Sequence, residues 1–256
     1  MTEVRPQTAP RHAGPMARLW NCMSYYLVTP QDFWTLIVGG QTDARIAALE
    51  NAHGKHAAFE ALYGASEDPW DTLNPRLTYQ DRKYRTVMAL LPERRYARAL
   101  DLGSGLGTLS RLLSGRAEQV LGVDVAQAAV ERARARHGLI GNLRFQQGDI
   151  AALPGAIEDR FDLITIMDTL YYLPDTSDAA LDDVVARIAA LLEPGGLVVL
   201  SNHLFKGGWD KATRLSRRID KAFFRSPRLA LVSRHWHPFF QTTVLTAAVA
   251  PGKQTG

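Results

Sequence analysis

The sequence contains a single cysteine and no long apolar run. Cys22 has no second cysteine to pair with, so the chain forms no internal disulfide and no multi-cysteine zinc site. No stretch approaches the roughly 18 consecutive apolar residues that a membrane-spanning helix needs. Residues 1–15 also lack the apolar core of a secretory signal. We therefore expect a soluble, cytoplasmic protein without a metal site.

An excess of one charge is also missing. The chain has 30 basic and 26 acidic residues, for a formal net charge of +4. This bias is too small to indicate a nucleic-acid partner by itself. Hydrophobic residues make up 46% of the 256 positions, which suffices for the core of one domain with some chain to spare.

The chain divides into three segments. Residues 1–15 are mostly proline, small and polar, and we expect a flexible tail. Residues 16–78 are too apolar for a linker, and we interpret them as a helical extension that acts as a lid or as a homodimer contact. Within them, Asp43–Asn51 and Ala57–Tyr63 are predicted helices. Residues 79–250 would form the main domain.

Strands and helices alternate from residue 79 onward. This alternation predicts a parallel sheet with helices on both faces. Pro194-Gly195-Gly196 is expected to end the last helix of the series, and a closing hairpin would add an antiparallel strand. The expected fold is thus α/β, a Rossmann-like sheet of seven mostly parallel strands. The predicted strands are Arg98–Leu102, Gln119–Val125, Leu143–Gly148, Phe161–Met167 and Leu197–Ser201, the hairpin is Leu229–Trp236 with Phe240–Val249, and the helices are Arg82–Leu91, Thr108–Arg116, Ala126–His137 and Asp178–Glu193.

A glycine-rich turn follows the first predicted strand. Gly103-x-Gly105-x-Gly107 would let a ligand lie against the backbone and the following helix. A dinucleotide turn would read G-x-G-x-x-G, whereas here the third glycine comes one residue early. Asp101 would be unfavourable beside a pyrophosphate but favourable beside an ammonium and a sulfonium. The turn therefore favours S-adenosylmethionine, and a plain strand-to-helix turn is the alternative.

Three further acidic residues lie at or directly after the carboxyl ends of predicted strands. Asp124, followed by Val125, suits both hydroxyls of a ribose, although a helix N-cap is the competing interpretation. Asp149 could accept from an adenine amino group while Ile150 covers the ring, or it could be an ordinary turn residue. Asp168 would lie beside the reactive methyl group, because open α/β sheets bind ligands at the carboxyl ends of their strands.

The ordered set of these motifs resembles the class I S-adenosylmethionine-dependent methyltransferases. The resemblance covers Arg98 to Ser201 and rests on five segments: ALDLGSGLG, VLGVDV, GDI, FDLITIMDTLYYL and LLEPGGLVVL. It implies S-adenosyl-L-methionine as cofactor and methyl transfer as reaction.

A narrower resemblance precedes the first strand. Phe59 to Pro92, with Asp68-Pro69-Trp70, is similar to the entry segment of the nodulation-type (NodS) N-methyltransferases. This implies an amine acceptor on a sugar-like molecule. Tyr79 and Lys83 are one helical turn apart. In such a fold they would cap the methionine end of the cofactor, with Lys83 at its carboxylate; an ordinary amphipathic helix is the alternative.

The acceptor must present a free lone pair, so a base or a desolvating pocket is expected near the methyl group. Candidates are His203, Tyr172 and Asp168, with the neighbouring Tyr171. A small-molecule amine is the main hypothesis. An O-methyltransferase acting on a hydroxyl or carboxyl group and a non-catalytic cofactor-binding module with a protein partner are the alternatives.

The segment from Lys206 to Arg234 is strongly basic. It contains nine basic residues and two acids, and its apolar residues fall near helical spacing. An amphipathic helix with a solvated basic face explains this pattern. An acidic substrate or an anionic membrane surface would also suit it, whereas nucleic acid is the weakest alternative, because no aromatic-basic RNA-binding motif accompanies the charges.

Overall fold

The fold was analysed in a computed structural model. It describes residues 14, 24–25, 32–155, 157, 159–204 and 211–248, without the side chains at positions 33, 35, 36, 53, 55 and 56. The predicted tail, apart from Gly14, lies outside these ranges, as do Cys22 and residues 206–210 of the basic segment. In the described part, no helix is long and apolar enough to cross a bilayer.

Seven strands form one sheet in the order β3-β2-β1-β4-β5-β7-β6. Strands β1 to β5 are parallel, and β7 runs antiparallel to both β5 and β6. This confirms the predicted Rossmann-like fold and its closing hairpin. The strands are β1 Tyr96–Leu102, β2 Ala117–Asp124, β3 Leu143–Gln147, β4 Phe161–Met167, β5 Leu192–His203, β6 Leu229–Trp236 and β7 Phe240–Ala247.

Helices cover both faces of the sheet. The side chains on the two faces of the sheet pack in two different cores. In the strand Phe161–Met167, Ile164 packs with Ile188 and Phe223, whereas its neighbour Leu163 packs with Val87 and Val130. This alternation is the two-residue period of a strand that is buried on both faces. The α-helices are α1 Asp32–His53, α2 Lys55–Ala65, α3 Thr78–Leu90, α4 Thr108–Ser114, α5 Gln127–His137, α6 Asp178–Ala190 and α7 Lys211–Arg225.

Two predicted boundaries were wrong. Helix α6 ends at Ala190, and Pro194-Gly195-Gly196 lies inside β5. The pairing of β5 with β4 shifts register between Phe161 and Leu163, so the extra residues are absorbed as a bulge. The helix predicted at Asp43–Asn51 is the second half of α1, which continues through Gly39-Gly40.

The N-terminal segment packs on the domain that follows it. The carboxylate of Asp32 accepts hydrogen bonds from the backbone N–H groups of Thr78 and Tyr79, at 2.6 and 3.2 Å. Helix α2 lies against α5, where Phe59 joins Ala129 in a small apolar cluster. These contacts place α1 and α2 beside the carboxyl ends of the central strands; the domain boundary at residue 79 stays a prediction.

Candidate active site

The glycine turn joins β1 to α4 in a conformation that suits glycine. Gly103, Gly105 and Gly107 have φ values of 75°, 50° and 76°, where a side chain would be strained. A Cβ on Gly103 would lie 2.2 Å from Oγ1 of Thr169. The turn is therefore shaped by close approach of the loop after β4 as well as by its own backbone.

Asp124 lies at the end of β2 beside this turn. Its carboxylate accepts hydrogen bonds from the backbone N–H groups of Gly105 at 2.8 Å and Ala126 at 3.0 Å. Burial raises its pKa, although these N–H groups act in the opposite direction. The residue that caps α5 is Ala126, so Asp124 is not the helix N-cap. Its role toward a ribose remains a prediction.

Asp101, near the end of β1, is only 2% exposed. Its buried carboxylate accepts from the hydroxyls of Ser110 at 2.6 Å and Thr165 at 2.8 Å. Burial raises its pKa to about 6, against the effect of these hydroxyls. The two carboxylate oxygens thus connect the turn to α4 and to β4. The effect of Asp101 on a bound cation stays a prediction.

The third predicted contact follows β3. Asp149 accepts a 2.8 Å hydrogen bond from the backbone N–H of Ala151 and so caps a short 3-10 turn. Ile150 is buried in the core, and Val125 is half-buried after β2. These residues stand at the ends of neighbouring strands, as predicted from the sequence; their contacts with adenine remain predictions.

A buried ion pair lies on the other side of the turn, after β4. The ammonium of Lys83, which is 1% exposed, donates to the carboxylate of Asp168. Tyr171 donates to the same carboxylate at 2.6 Å. Burial alone would raise the pKa of Asp168, but the charge of Lys83 and these hydrogen bonds hold it below its ordinary value. The carboxylate therefore stays ionised at neutral pH.

A second carboxylate reaches this cluster from α1. The hydroxyl of Tyr172 donates to Asp43 at 2.7 Å. His203, at the end of β5, is close enough to act on the pKa values of both Asp43 and Asp168. The structure thus brings together the three predicted catalytic residues, Asp168, Tyr172 and His203, and adds Asp43. Their catalytic roles stay predictions.

Aromatic side chains surround these polar groups. Tyr172 packs edge-to-face on Phe59, with ring centroids 5.2 Å apart, and Trp70 lies 6.4 Å from Tyr172. Tyr63 extends over the glycine turn, because a Cβ on Gly105 would lie 3.1 Å from its hydroxyl. The N-terminal helices therefore form an apolar wall beside the glycine turn.

Tyr79 and Lys83 share one face of α3, as their spacing predicted. Tyr79 packs edge-to-face on Phe239 and Phe240, with centroids 6.2 and 6.5 Å away. Lys83 lies 4.9 Å from the ring centroid of Phe240. In this structure the ammonium of Lys83 binds Asp168, and its predicted contact with a cofactor carboxylate remains untested.

Two residues of the site escaped prediction. Asp43 and Tyr63 lie on predicted helices, but their partners, Tyr172 and the glycine turn, are far away in sequence. The aromatic spacing of Phe59 and Tyr63 was the one available signal, because residues four apart share a helix face.

Comparison with known proteins agrees with this geometry. The family model described as a methyltransferase domain matches residues 99–196. Residues 99–196 therefore form a methyltransferase domain. A trans-aconitate 2-methyltransferase of Deinococcus radiodurans is 39% identical over 124 residues, which are 46% of this chain and 44% of the relative. The matched part of this chain thus spans less than half the length of that relative.

Nodulation proteins are also similar to this chain. Nodulation protein S of Sinorhizobium fredii is 26% identical over 165 residues, covering 64% of this chain and 72% of the relative. The crystal structure of the N-methyltransferase NodS from Bradyrhizobium japonicum, in complex with S-adenosyl-L-homocysteine, superimposes with a TM-score of 0.63 at 18% identity. The match covers 75% of this chain and 98% of NodS. That likeness supports the shared fold.

The residues of the methyltransferase domain fit its cofactor. The glycines have positive φ values that form the tight turn, and the buried hydroxyl oxygen of Ser104 has no hydrogen-bond partner among the described residues. Asp124 offers a carboxylate at the ribose position of such folds. When bound, the cofactor supplies an activated methyl group. Gly103, Gly105, Asp124 and Asp149 are the residues expected to hold it.

Proposed function

We propose that the chain transfers the methyl group of S-adenosyl-L-methionine to an amine of a small molecule. The observation that carries this proposal is the charge of the cluster beyond the glycine turn. Two carboxylates, Asp43 and Asp168, accompany one ammonium, that of Lys83. Such a cluster attracts a cationic acceptor and disfavours an anionic one.

The two carboxylates differ in their partners. Asp168 is neutralised by Lys83, whereas the described hydrogen bond to Asp43 comes from a neutral hydroxyl, that of Tyr172. The negative charge of Asp43 is therefore available to an incoming ammonium. Partial desolvation raises the pKa of Asp43, while the Tyr172 hydroxyl acts in the opposite direction. Electrostatic attraction would concentrate the acceptor at this edge of the sheet.

The acceptor nitrogen must lose a proton before it attacks. Burial holds the pKa values of Tyr171 and Tyr172 well above the ordinary value, so both hydroxyls stay protonated and act as donors. His203 lies near both carboxylates, and a neutral imidazole nitrogen can accept a proton. We assign to it the removal of this proton, and to the aromatic wall the exclusion of water. An amino sugar is the specific amine that the NodS resemblance favours.

Methyl transfer to oxygen is the second candidate. It is favoured by the identity to the trans-aconitate methyltransferase, whose name specifies an anionic acceptor. A carboxylate acceptor would meet Asp43 at this edge, and a hydroxyl acceptor would need a stronger base than an amine does. The charge of the cluster therefore ranks oxygen acceptors below amines.

The test compares acceptors that share a skeleton and differ in one group. The purified chain is incubated with S-adenosylmethionine that carries a trideuteromethyl group and with phenethylamine, phenethyl alcohol or phenylacetate, and in parallel with glucosamine or glucose. Mass spectrometry should find the label on nitrogen in the amine products. Label in the alcohol or acid products, with the amines unlabelled, would refute the proposal in favour of O-methylation.

A further inference from the structure

A row of polar side chains crosses three strands at the acceptor edge of the sheet. Gln241 of β7 pairs with Asn202 of β5 on one side and with Trp236 of β6 on the other. Residues directly opposite each other on antiparallel strands share a face of the sheet. Asn202 lies two residues after Leu200 in β5, so both side chains are on the same face of the sheet. Leu200 packs in the core beneath α7, and α7 therefore covers this face.

The row adjoins the acceptor cluster. The backbone N–H of Asp168 donates to the carbonyl of Ser201 at 2.9 Å, which places Asn202 one residue from that contact. Arg218 and Arg225 of α7 bind Asp178 and Asp182 of α6, so the two helices are parallel. Helix α6 begins after β4 at the carboxyl edge, and the first turns of α7 therefore lie at the same edge.

Several buried polar atoms of this region have no hydrogen-bond partner among the described residues. They are both amide atoms of Asn202, Oε1 of Gln241, Oγ of Ser216 and Nε of Arg234. Asn202 is 1% exposed, Gln241 2% and Ser216 0%. Orphaned buried polar groups cost stability, and their concentration in one place indicates that a ligand or water satisfies them.

The donors and acceptors among these atoms limit the chemical class of ligand that could bind here. The Asn202 amide nitrogen and Arg234 Nε donate, the amide oxygens of Asn202 and Gln241 accept, and the Ser216 hydroxyl does both. The anionic group present, Asp220, is engaged by Gln241 at 2.5 Å and Arg234 at 3.5 Å. A ligand that matches this mixture both donates and accepts without net charge, as hydroxyl groups do.

An aromatic surface stands at the outer end of the row. Trp236 is 50% exposed, and the guanidinium of Arg234, itself about a third exposed, lies 4.3 Å from its ring centroid. A half-exposed indole provides a flat apolar surface beside the buried amides. Apolar ring faces with hydroxyls at their edges fit such a surface, because one part of the ligand stacks while another bonds to the amides.

We propose that Asn202, Ser216 and Gln241, with Trp236 at the mouth, form a binding site for the hydroxylated, uncharged part of the methyl acceptor. This proposal rests on the proposed function, because it takes the ligand to be the methyl acceptor. It assigns specificity to this row, while Asp43 and Asp168 receive the amine. In this assignment the row binds the acceptor away from the nitrogen that is methylated.

The test measures binding without methyl transfer. The Kd values of glucosamine and of cyclohexylamine, an amine on a ring without hydroxyls, are determined by ligand-observed NMR on protein saturated with S-adenosylhomocysteine. The wild type should bind glucosamine more tightly. Asn202→Leu and Trp236→Leu should each raise the Kd of glucosamine about tenfold and change that of cyclohexylamine less than about twofold.

Two matched variants control for structural effects. Tyr96→Phe removes another buried hydroxyl, which has no partner in the described part of the chain, at the opposite, amino edge of the sheet. Trp34→Leu removes another half-exposed indole, 52% exposed on α1. Both should leave glucosamine binding unchanged. Equal binding of the two amines by the wild type, or unchanged glucosamine binding in Asn202→Leu and Trp236→Leu, would overturn the proposal and leave water as the occupant. Failure to methylate amines would refute the proposed function alone.

Discussion

The two halves of the site are built in different ways. In the cofactor half, most partners of the Asp101, Asp124 and Asp149 carboxylates lie 2 to 19 positions away, and Thr165 lies 64 positions from Asp101, within the alternating segment. In the acceptor half, Lys83 and Asp168 are 85 positions apart, and Asp43 and Tyr172 are 129 apart. The first half thus lies within the alternating segment, while the second depends on the N-terminal helices docking on the sheet.

This difference has a functional consequence. A substitution in α1 should alter the acceptor half without changing the backbone of the glycine turn, whereas Tyr63 of α2 lies over that turn. The cofactor half, by contrast, has its carboxylates bound to backbone N–H groups and neighbouring hydroxyls, so its geometry is preorganised. Cofactor affinity and acceptor affinity should therefore respond to different sets of mutations.

The largest effect is expected at the turn itself. Gly103→Ala places a Cβ 2.2 Å from Oγ1 of Thr169 at a φ of 75°. Strain and overpacking together should lower the free energy of unfolding by about 3 kcal/mol. Thermal and denaturant unfolding would measure this, with binding of S-adenosylhomocysteine also lost. Gly141→Ala is the control, because its Cβ would meet no described atom within 4 Å; an equal loss of stability in both variants would contradict the account.

A smaller, more specific effect is expected at Asp124. Asp124→Ala removes the acceptor for Gly105 and Ala126 and the predicted ribose contact, so the Kd of S-adenosylhomocysteine should rise about a hundredfold in calorimetry. Asp162→Ala is a matched control, since Asp162 accepts from the N–H groups of Ala97 and Arg98 at the amino edge. Similar affinities for the two variants would argue against a cofactor role for Asp124.

The contrast between the halves also explains what the sequence could predict. Strand β4 matches its predicted bounds, Phe161–Met167, because a strand buried on both faces is predominantly apolar, here with Asp162 and Thr165 as its polar residues. The placement of Asp124 and Asp149 at strand ends follows from the same alternation. These features depend on neighbours in the chain.

Features that depend on tertiary contacts were missed. The helix predicted at Asp43–Asn51 was too short, because α1 begins at Asp32 and packs on the domain through the buried Asp32, Thr42 and Ile46. The bulge before Leu197 depends on pairing with β4. The contact between Asp43 and Tyr172 could not be predicted, because no local pattern specifies where α1 docks.

The most direct test of the division between the halves is steady-state kinetics of Asp43→Asn with an amine acceptor. Removing this charge should raise the KM of the amine about tenfold and leave the KM of S-adenosylmethionine within about twofold. Glu50→Gln, a charge removal on the same helix, should change neither. An unchanged amine KM, or an equal rise in both KM values, would contradict the assignment of Asp43 to the acceptor half.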